Sequence, residues 1–349
     1  MKPKLVTLVC VVLLACSVAA AAQELRIYNW SEYMDEEKMP ADFEKRFGIK
    51  VRLDIFENNE EMVAKLQAGG VSQYDVIVPS DYIMPVLIKQ KLIQPLDHSK
   101  LPNLANLKPL FRQTAYDPGN TYSVAYQWGT VGLMYRKDRV PADVVNSWSV
   151  LFDADKQPGP FWLIDGVREM MGIALVYLGK DFNSTNPRDL KAAADLLVVT
   201  KRTKNCLGFK SGVGGKNDVA AGTAVAAIVY NGDAIQSVTE DPQHLGFVIP
   251  DEGSEIWLDS MCIPSQAPNS DAAHKWINWI LEAEVGAELS NYNQYATPNA
   301  AAERFITPED LKNPGIYPTD EIMKKLYFTK DLGKDNRIMD EAWTRAKSH

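Results

Sequence analysis

Histidine and cysteine are both scarce in this chain, at four each among 349 residues, and the usual catalytic signatures are missing with them. His98, His244, His274 and His349 stand apart without the spacing of a metal site, and no Gly-x-Ser-x-Gly elbow presents a nucleophile. Isolated histidines of this kind are expected at the surface. With no metal, cofactor or nucleophile site to name, the sequence argues against an enzyme. Beyond the N-terminal segment no apolar run is long enough to span a bilayer. Repeats of solenoid period and low-complexity tracts are missing as well.

What is present begins with targeting. Lys2 and Lys4 precede an apolar run from Leu5 to Ala15 and a small-residue stretch from Ala19 to Ala22, the pattern of a secretory signal peptide over residues 1–22. Ala20-Ala21-Ala22 before Gln23 suits ordinary cleavage. Leu13-Leu14-Ala15-Cys16 also forms an imperfect lipoprotein box, in which Cys16 would be kept and acylated, although Leu14 is bulky for such a box. Ordinary cleavage and a periplasmic location are therefore expected. Loss of Lys2 and Lys4 leaves 35 basic residues against 45 acidic ones and moves the formal charge from -8 to -10. That acidity disfavours a nucleic-acid partner and favours a cationic ligand. Cys10 and Cys16 fall in the leader; for Cys206 and Cys262, one disulfide and two separate thiols both remain open.

The remaining length suits about two domains. Leu25 and Ile27 alternate with polar or aromatic neighbours, a helical stretch through Phe43 and Phe47 stops at Gly48, and Ile49, Val51, Leu53 and Ile55 alternate again. The period switches from two to about 3.6 and back, predicting strand, helix and strand. Asn58 and Asn59 can cap a second helix that ends at Gly69-Gly70, and Asp75 to Ser80 follows as a buried strand. The architecture is α/β. A second run of this kind covers about residues 132–256, with helices from Met170 to Leu178 and Leu190 to Val199 and a strand from Ala224 to Tyr230. Pro95 to Asn120 reads as a surface connection, and the segment after Asn313 is too short to fold except against a domain already made.

Short clusters place a carboxylate beside an aromatic or hydroxyl group: Trp30-Ser31-Glu32-Tyr33, Ser80-Asp81-Tyr82, Trp162 with Asp165 and Glu169, Tyr230-Asn231-Gly232-Asp233, and Trp257-Leu258-Asp259. Most fall where a predicted strand ends, the edge at which open α/β sheets bind ligands. A flexible alkyl diamine needs this pairing, because its ammonium ends want charged acceptors and its methylenes want flat apolar walls. Taken singly, each cluster reads more simply as a half-buried aromatic beside a solvated acid. Trp276, Trp279 and Ile280 follow helical spacing and are core residues on this reading. Ser211-Gly212-Val213-Gly214-Gly215-Lys216 superficially resembles a phosphate loop, but Asn217 stands where Ser or Thr would bind magnesium, so a flexible polar loop is expected.

These residues occur in the order seen in bacterial spermidine/putrescine-binding proteins, which the chain resembles over nearly all of its length after the leader. Tyr28-Asn29-Trp30-Ser31-Glu32-Tyr33, Val78 to Tyr82, Arg168-Glu169, Tyr230 to Asp233, Trp257 to Ser260 and Tyr295-Ala296-Thr297-Pro298-Asn299 carry the likeness. The resemblance implies a two-lobed type II periplasmic-binding-protein fold, with a polyamine held in the cleft. It implies lobes of 23–131 plus 258–303 and of 132–257 plus 304–349, joined by chain crossings. Trp30, Tyr33, Tyr82, Tyr230, Trp257 and Tyr295 would form an aromatic box. Glu32, Glu169, Asp233 and Asp259 would receive ammonium groups, and Ser31, Ser80 and Ser211 would add hydroxyl contacts. Tyr230 replaces a tryptophan, Gly166 stands where spermidine binders carry an aspartate, and Thr329 replaces a glutamine or an apolar residue, which leaves the preferred polyamine open. The implied partner is the membrane permease of an ABC transporter, with a membrane signalling receptor as the alternative. No cofactor, no metal and a monomeric state are expected.

Overall fold

The computed structural model describes residues 23–348. The expected leader, with Lys2, Lys4, Cys10, Cys16 and the cleavage site, lies outside the described residues, as does His349. Among the described residues ten strands carry the architecture: β1 (Glu24–Trp30), β2 (Lys50–Phe56), β3 (Val76–Ile77), β4 (Ser123–Arg136), β5 (Phe161–Ile164), β6 (Cys206–Lys210), β7 (Ala226–Tyr230), β8 (Leu245–Val248), β9 (Ser254–Cys262) and β10 (Leu326–Phe328).

The first strands form where the alternation demands. Between β1 and β2 the helix Lys38–Phe47 ends at Gly48, whose φ of 67° reverses the chain and lets its N–H reach the Glu44 carbonyl. Asn58 caps the next helix, Asn59–Gln67, by accepting from Glu61 N–H. β1 then pairs in parallel with β2 on one side and β3 on the other. In the second half β5 pairs in parallel with β6 and β7.

Two antiparallel strands run through both halves. β4 pairs with β9 from Ser123 to Thr130 and then, from Val131 to Tyr135, with β7. β9 meets β10 at its start and β3 at Cys262. The ordered path β2-β1-β3-β9-β4-β7-β5-β6 therefore passes from one lobe to the other through a two-stranded ladder. Every residue of β9 is buried, so it lacks the polar-out alternation of a half-exposed strand. Gly129 faces Trp257 across this ladder, and a Cβ there would collide with the indole and with Asn231.

The structure corrects several expectations. Residues 95–120 are no mere surface connection, because Leu96, Leu101, Leu107 and Phe111 are buried and short 3-10 turns shape the segment. The buried Asp117 carboxylate ties its end down, accepting from the N–H groups of Thr121, Tyr122 and Ser123 and from the Ser123 hydroxyl. The glycine-rich stretch after Ser211 is the helix Gly212–Ala220, not a flexible loop. Its glycines serve close packing: a Cβ at Gly212 would crowd the Tyr230 ring, and one at Gly215 would press on Ala227. His274 is buried rather than on the surface, where its Nε2 accepts from Asp97 N–H at 2.9 Å. Cys206 and Cys262 are separate thiols. Trp276 and Trp279 pack on Phe43 in the core. The C-terminal segment adds β10 to β9, and its last helix, Asn336–Ser348, lies against the helix Pro187–Lys201.

Candidate functional site

The chain turns after β1, β5, β6 and β7 converge, with residues of β9, on a cavity of about 730 Å³ that both lobes line. All the residues expected to touch a ligand line it except Glu32. Glu32 adopts a left-handed φ of 52°, unusual for a residue with a side chain, in the tight turn after β1. Ser31 and Tyr33 line the cavity, while the half-exposed Glu32 carboxylate accepts from Lys216 Nζ at 2.8 Å. Lys216 belongs to the helix Gly212–Ala220, so this ion pair joins the two lobes.

Trp257 is the centre of an aromatic cluster. Its ring lies 5.1 Å from Tyr295, 6.1 Å from Tyr230 and 6.3 Å from Tyr33, mostly edge to face. Trp30 lies tilted over Phe56 at 4.4 Å, held by a bond from its indole N–H to the Val78 carbonyl. Tyr82 follows Ser80 in a 3-10 turn, and its hydroxyl donates to Glu60 at 3.2 Å.

The carboxylates are buried among these rings. The Asp259 backbone forms a bridge with Ser80, and burial raises its carboxyl to about 7, opposed by the nearby Ser80 and Tyr33 hydroxyls, neither of which closes a hydrogen bond on Oδ1. Its Oδ1 has no hydrogen bond. Asp233 sits in the first turn of the helix Asn231–Glu240, where the helix terminus favours negative charge. Burial nevertheless raises it to about 6, opposed by the charge of Lys216. Glu169, in the first turn of the helix Val167–Tyr177, accepts from the Tyr230 hydroxyl at 2.9 Å, and burial pushes it up as well. Gly166 precedes that helix at a φ of -131°, open to any residue, yet a Cβ there would run into the Glu169 carboxylate.

Sequence reasoning missed Glu60, Arg168 and Glu255 as lining residues. Arg168 is buried and donates to Asn336 Oδ1 and the Lys330 carbonyl, with its guanidinium 5.8 Å from the Tyr82 ring centre. Glu255 is 2% exposed, takes a bond from the Thr329 hydroxyl at 2.5 Å on Oε1, and leaves Oε2 unpartnered. The available signal was its place two residues before Trp257 on a strand, which puts both on one face. Among the described residues, unpartnered buried polar atoms also include Trp257 Nε1 and Tyr33 Oη, both on cavity-lining side chains. Such atoms are costly in a folded interior, and a bound partner relieves that cost. No group of three metal-ligating side chains occurs among the described residues.

Residues 38–319 match the family model for the bacterial extracellular solute-binding proteins. The chain is 37% identical over 358 aligned residues to a putrescine-binding periplasmic protein of Pseudomonas aeruginosa, covering 96% of each. It is 33% identical to a spermidine/putrescine-binding periplasmic protein of Salmonella typhimurium, covering 93% of this chain and 91% of the relative. Among solved structures, a putative spermidine/putrescine ABC transporter protein from Listeria monocytogenes superposes with a TM-score of 0.86 at 37% identity, over 93% of this chain and 99% of the other.

Proposed function

The chain belongs to the bacterial extracellular solute-binding proteins, in the group of periplasmic polyamine binders, and from that premise we propose that it captures putrescine or spermidine in the cavity and delivers it to an ABC-transporter permease. It is a receptor and not an enzyme. One observation carries this assignment to the site: the buried, unpartnered Asp259 Oδ1 in a cavity that the clustered rings of Tyr33, Trp257 and Tyr295 also line. A carboxylate in that position is poised for a buried ammonium group, and the rings offer π faces to the cation and apolar walls to the methylenes.

A ligand held between Asp259 and Glu169 touches segments from both lobes, so binding favours the form in which they close. The Glu32–Lys216 pair adds a further cross-lobe contact to that form. On this reading Glu32 does not receive ammonium, since Lys216 already occupies it. The protein acts as a monomer that presents its closed face to the permease.

Calorimetric titration with putrescine, cadaverine, spermidine and spermine tests the assignment. At least one is expected to bind with a Kd of about 1 µM or tighter, equivalent to roughly -8 kcal/mol. Small-angle scattering at saturation is expected to show a smaller radius of gyration. No heat and no thermal shift with any polyamine at millimolar concentration would defeat it.

A further inference from the structure

Along β9, Glu255, Trp257 and Asp259 occupy alternate positions and all line the cavity. Alternate residues of a strand share one face, so an indole is flanked by two carboxylates about 13 Å apart along the backbone. Asp259 is one pole of this arrangement. Glu255 is the other, and its Oε2 is free.

We propose that Glu255, together with Glu169, is the seat of the ligand's second ammonium group, and so sets the number of charges that the site demands. This rests on the polyamine-binding reading of the same cavity. Glu255 is 2% exposed with Oε2 unpartnered, while Oε1 is fixed by the Thr329 hydroxyl at 2.5 Å. A hydroxyl that holds one oxygen in place leaves the other for a ligand. The nearby buried Arg168 opposes its charge in part but makes no hydrogen bond to it, donating instead to Asn336 and the Lys330 carbonyl.

The groups around Glu255 fit a shared cation. Burial is the main cause that pushes Glu255 well above the usual carboxylate range, with the charges of Glu169 and Asp81 adding to it and Thr329 and Arg168 opposing it. Tyr230 faces the same pair and donates to Glu169 Oε1 at 2.9 Å. Two buried carboxylates this close do not both ionise without a counter-charge. In the free protein a proton adds to what Arg168 supplies. An arriving ammonium takes its place, and the proton leaves to solvent. A ligand with a single ammonium, seated on Asp259, offers the Glu169–Glu255 pair nothing in exchange.

The test compares putrescine with butylamine, which has the same carbon chain and one ammonium. Glu255→Gln keeps the side-chain size and an oxygen for Thr329 but removes the charge. The ratio of putrescine to butylamine affinity is expected to fall by about tenfold or more, the effect of losing one charge-assisted hydrogen bond. Thr329→Val gives a second measurement through Glu255: with that donor gone, the pH midpoint of putrescine affinity is expected to move upward. A Glu255→Gln protein whose affinity ratio matches wild type overturns the inference, whether both ligands bind normally or both weaken together. An unmoved midpoint in Thr329→Val overturns it too. If wild type binds no polyamine, the reading of the cavity falls and this inference with it, whereas wild-type binding that Glu255→Gln leaves unaltered removes the inference alone.

Discussion

Asp259→Asn removes a charge while keeping its shape, and it separates what the site does for binding from what it costs the fold. Asp259 is 5% exposed, and its Oδ1 has no hydrogen bond. An acid whose folded pKa lies above its unfolded value stabilises the protein in its protonated form. For Asp259 that stability is full below about 3.8 and is lost as pH rises through about 7. The interval corresponds to roughly 4 kcal/mol of cost for the ionised, ligand-free protein. Asparagine cannot ionise, so the variant escapes this cost. Urea unfolding of the ligand-free proteins should show the variant's advantage over wild type growing by about 2 to 3 kcal/mol between about pH 5 and about pH 8.5. The same substitution should weaken putrescine binding by about 2 to 5 kcal/mol, or roughly thirty-fold to several thousand-fold, by calorimetry. A stability difference between the two proteins that stays constant across this pH range would refute the reasoning, as would an unchanged titration.

Trp257→Ala should weaken putrescine binding to a similar degree, through lost wall area and cation-π attraction, while Trp257→Phe should retain part of it; calorimetry on the pair reads this directly. Putrescine affinity should rise as pH increases from about 5, because Asp259, at about 7, and the raised Glu169–Glu255 pair must lose protons to receive the two ammonium groups; titrations at several pH values check the sign. Gly166→Asp should weaken putrescine and spermidine alike, since the new side chain displaces the Glu169 carboxylate that fills that space; a selective gain for spermidine would contradict it. Lys216→Met should push the Asp233 carboxyl above about 6, because the lysine charge now holds it down; a carbon-13 titration of the side chain reports the shift.

Much of the first lobe was legible because its periods are clean. The alternation from Ile49 to Leu53 and the stop at Gly48 follow from local geometry and survive in β2 and in the helix before it, whereas at the strand's end Phe56 is buried and Ile55 is exposed. The acid-aromatic clusters were legible for a related reason: each is local, and each lies where a strand gives way to a turn. Glu32 shows the limit of that logic. Two residues after Trp30 in the chain, it pairs with Lys216 instead of lining the cavity, because of a left-handed turn and a lysine 184 positions away. The helix at Gly212 was hidden by glycines that mark flexibility in isolation but close packing against Tyr230 and Ala227 in the fold. Glu255 was hidden because β9 is buried at every position, which erases the contrast between inward and outward faces. Its significance depends on Glu169 and Thr329, which only tertiary contact brings near.

The ladder of β4 and β9 gives the molecule an unusual way of sensing its load. Strands that belong to both lobes cannot slide past each other without breaking their pairing, so movement of one lobe against the other must be taken up as torsion of this ribbon. The indole of Trp257 rests directly on the ribbon at Gly129, with no side chain between them. On the proposed binding mode, a guest that presses on the indole acts on this ribbon and not at the far rims of the cavity. Short guests, which never reach both rims, still have leverage there.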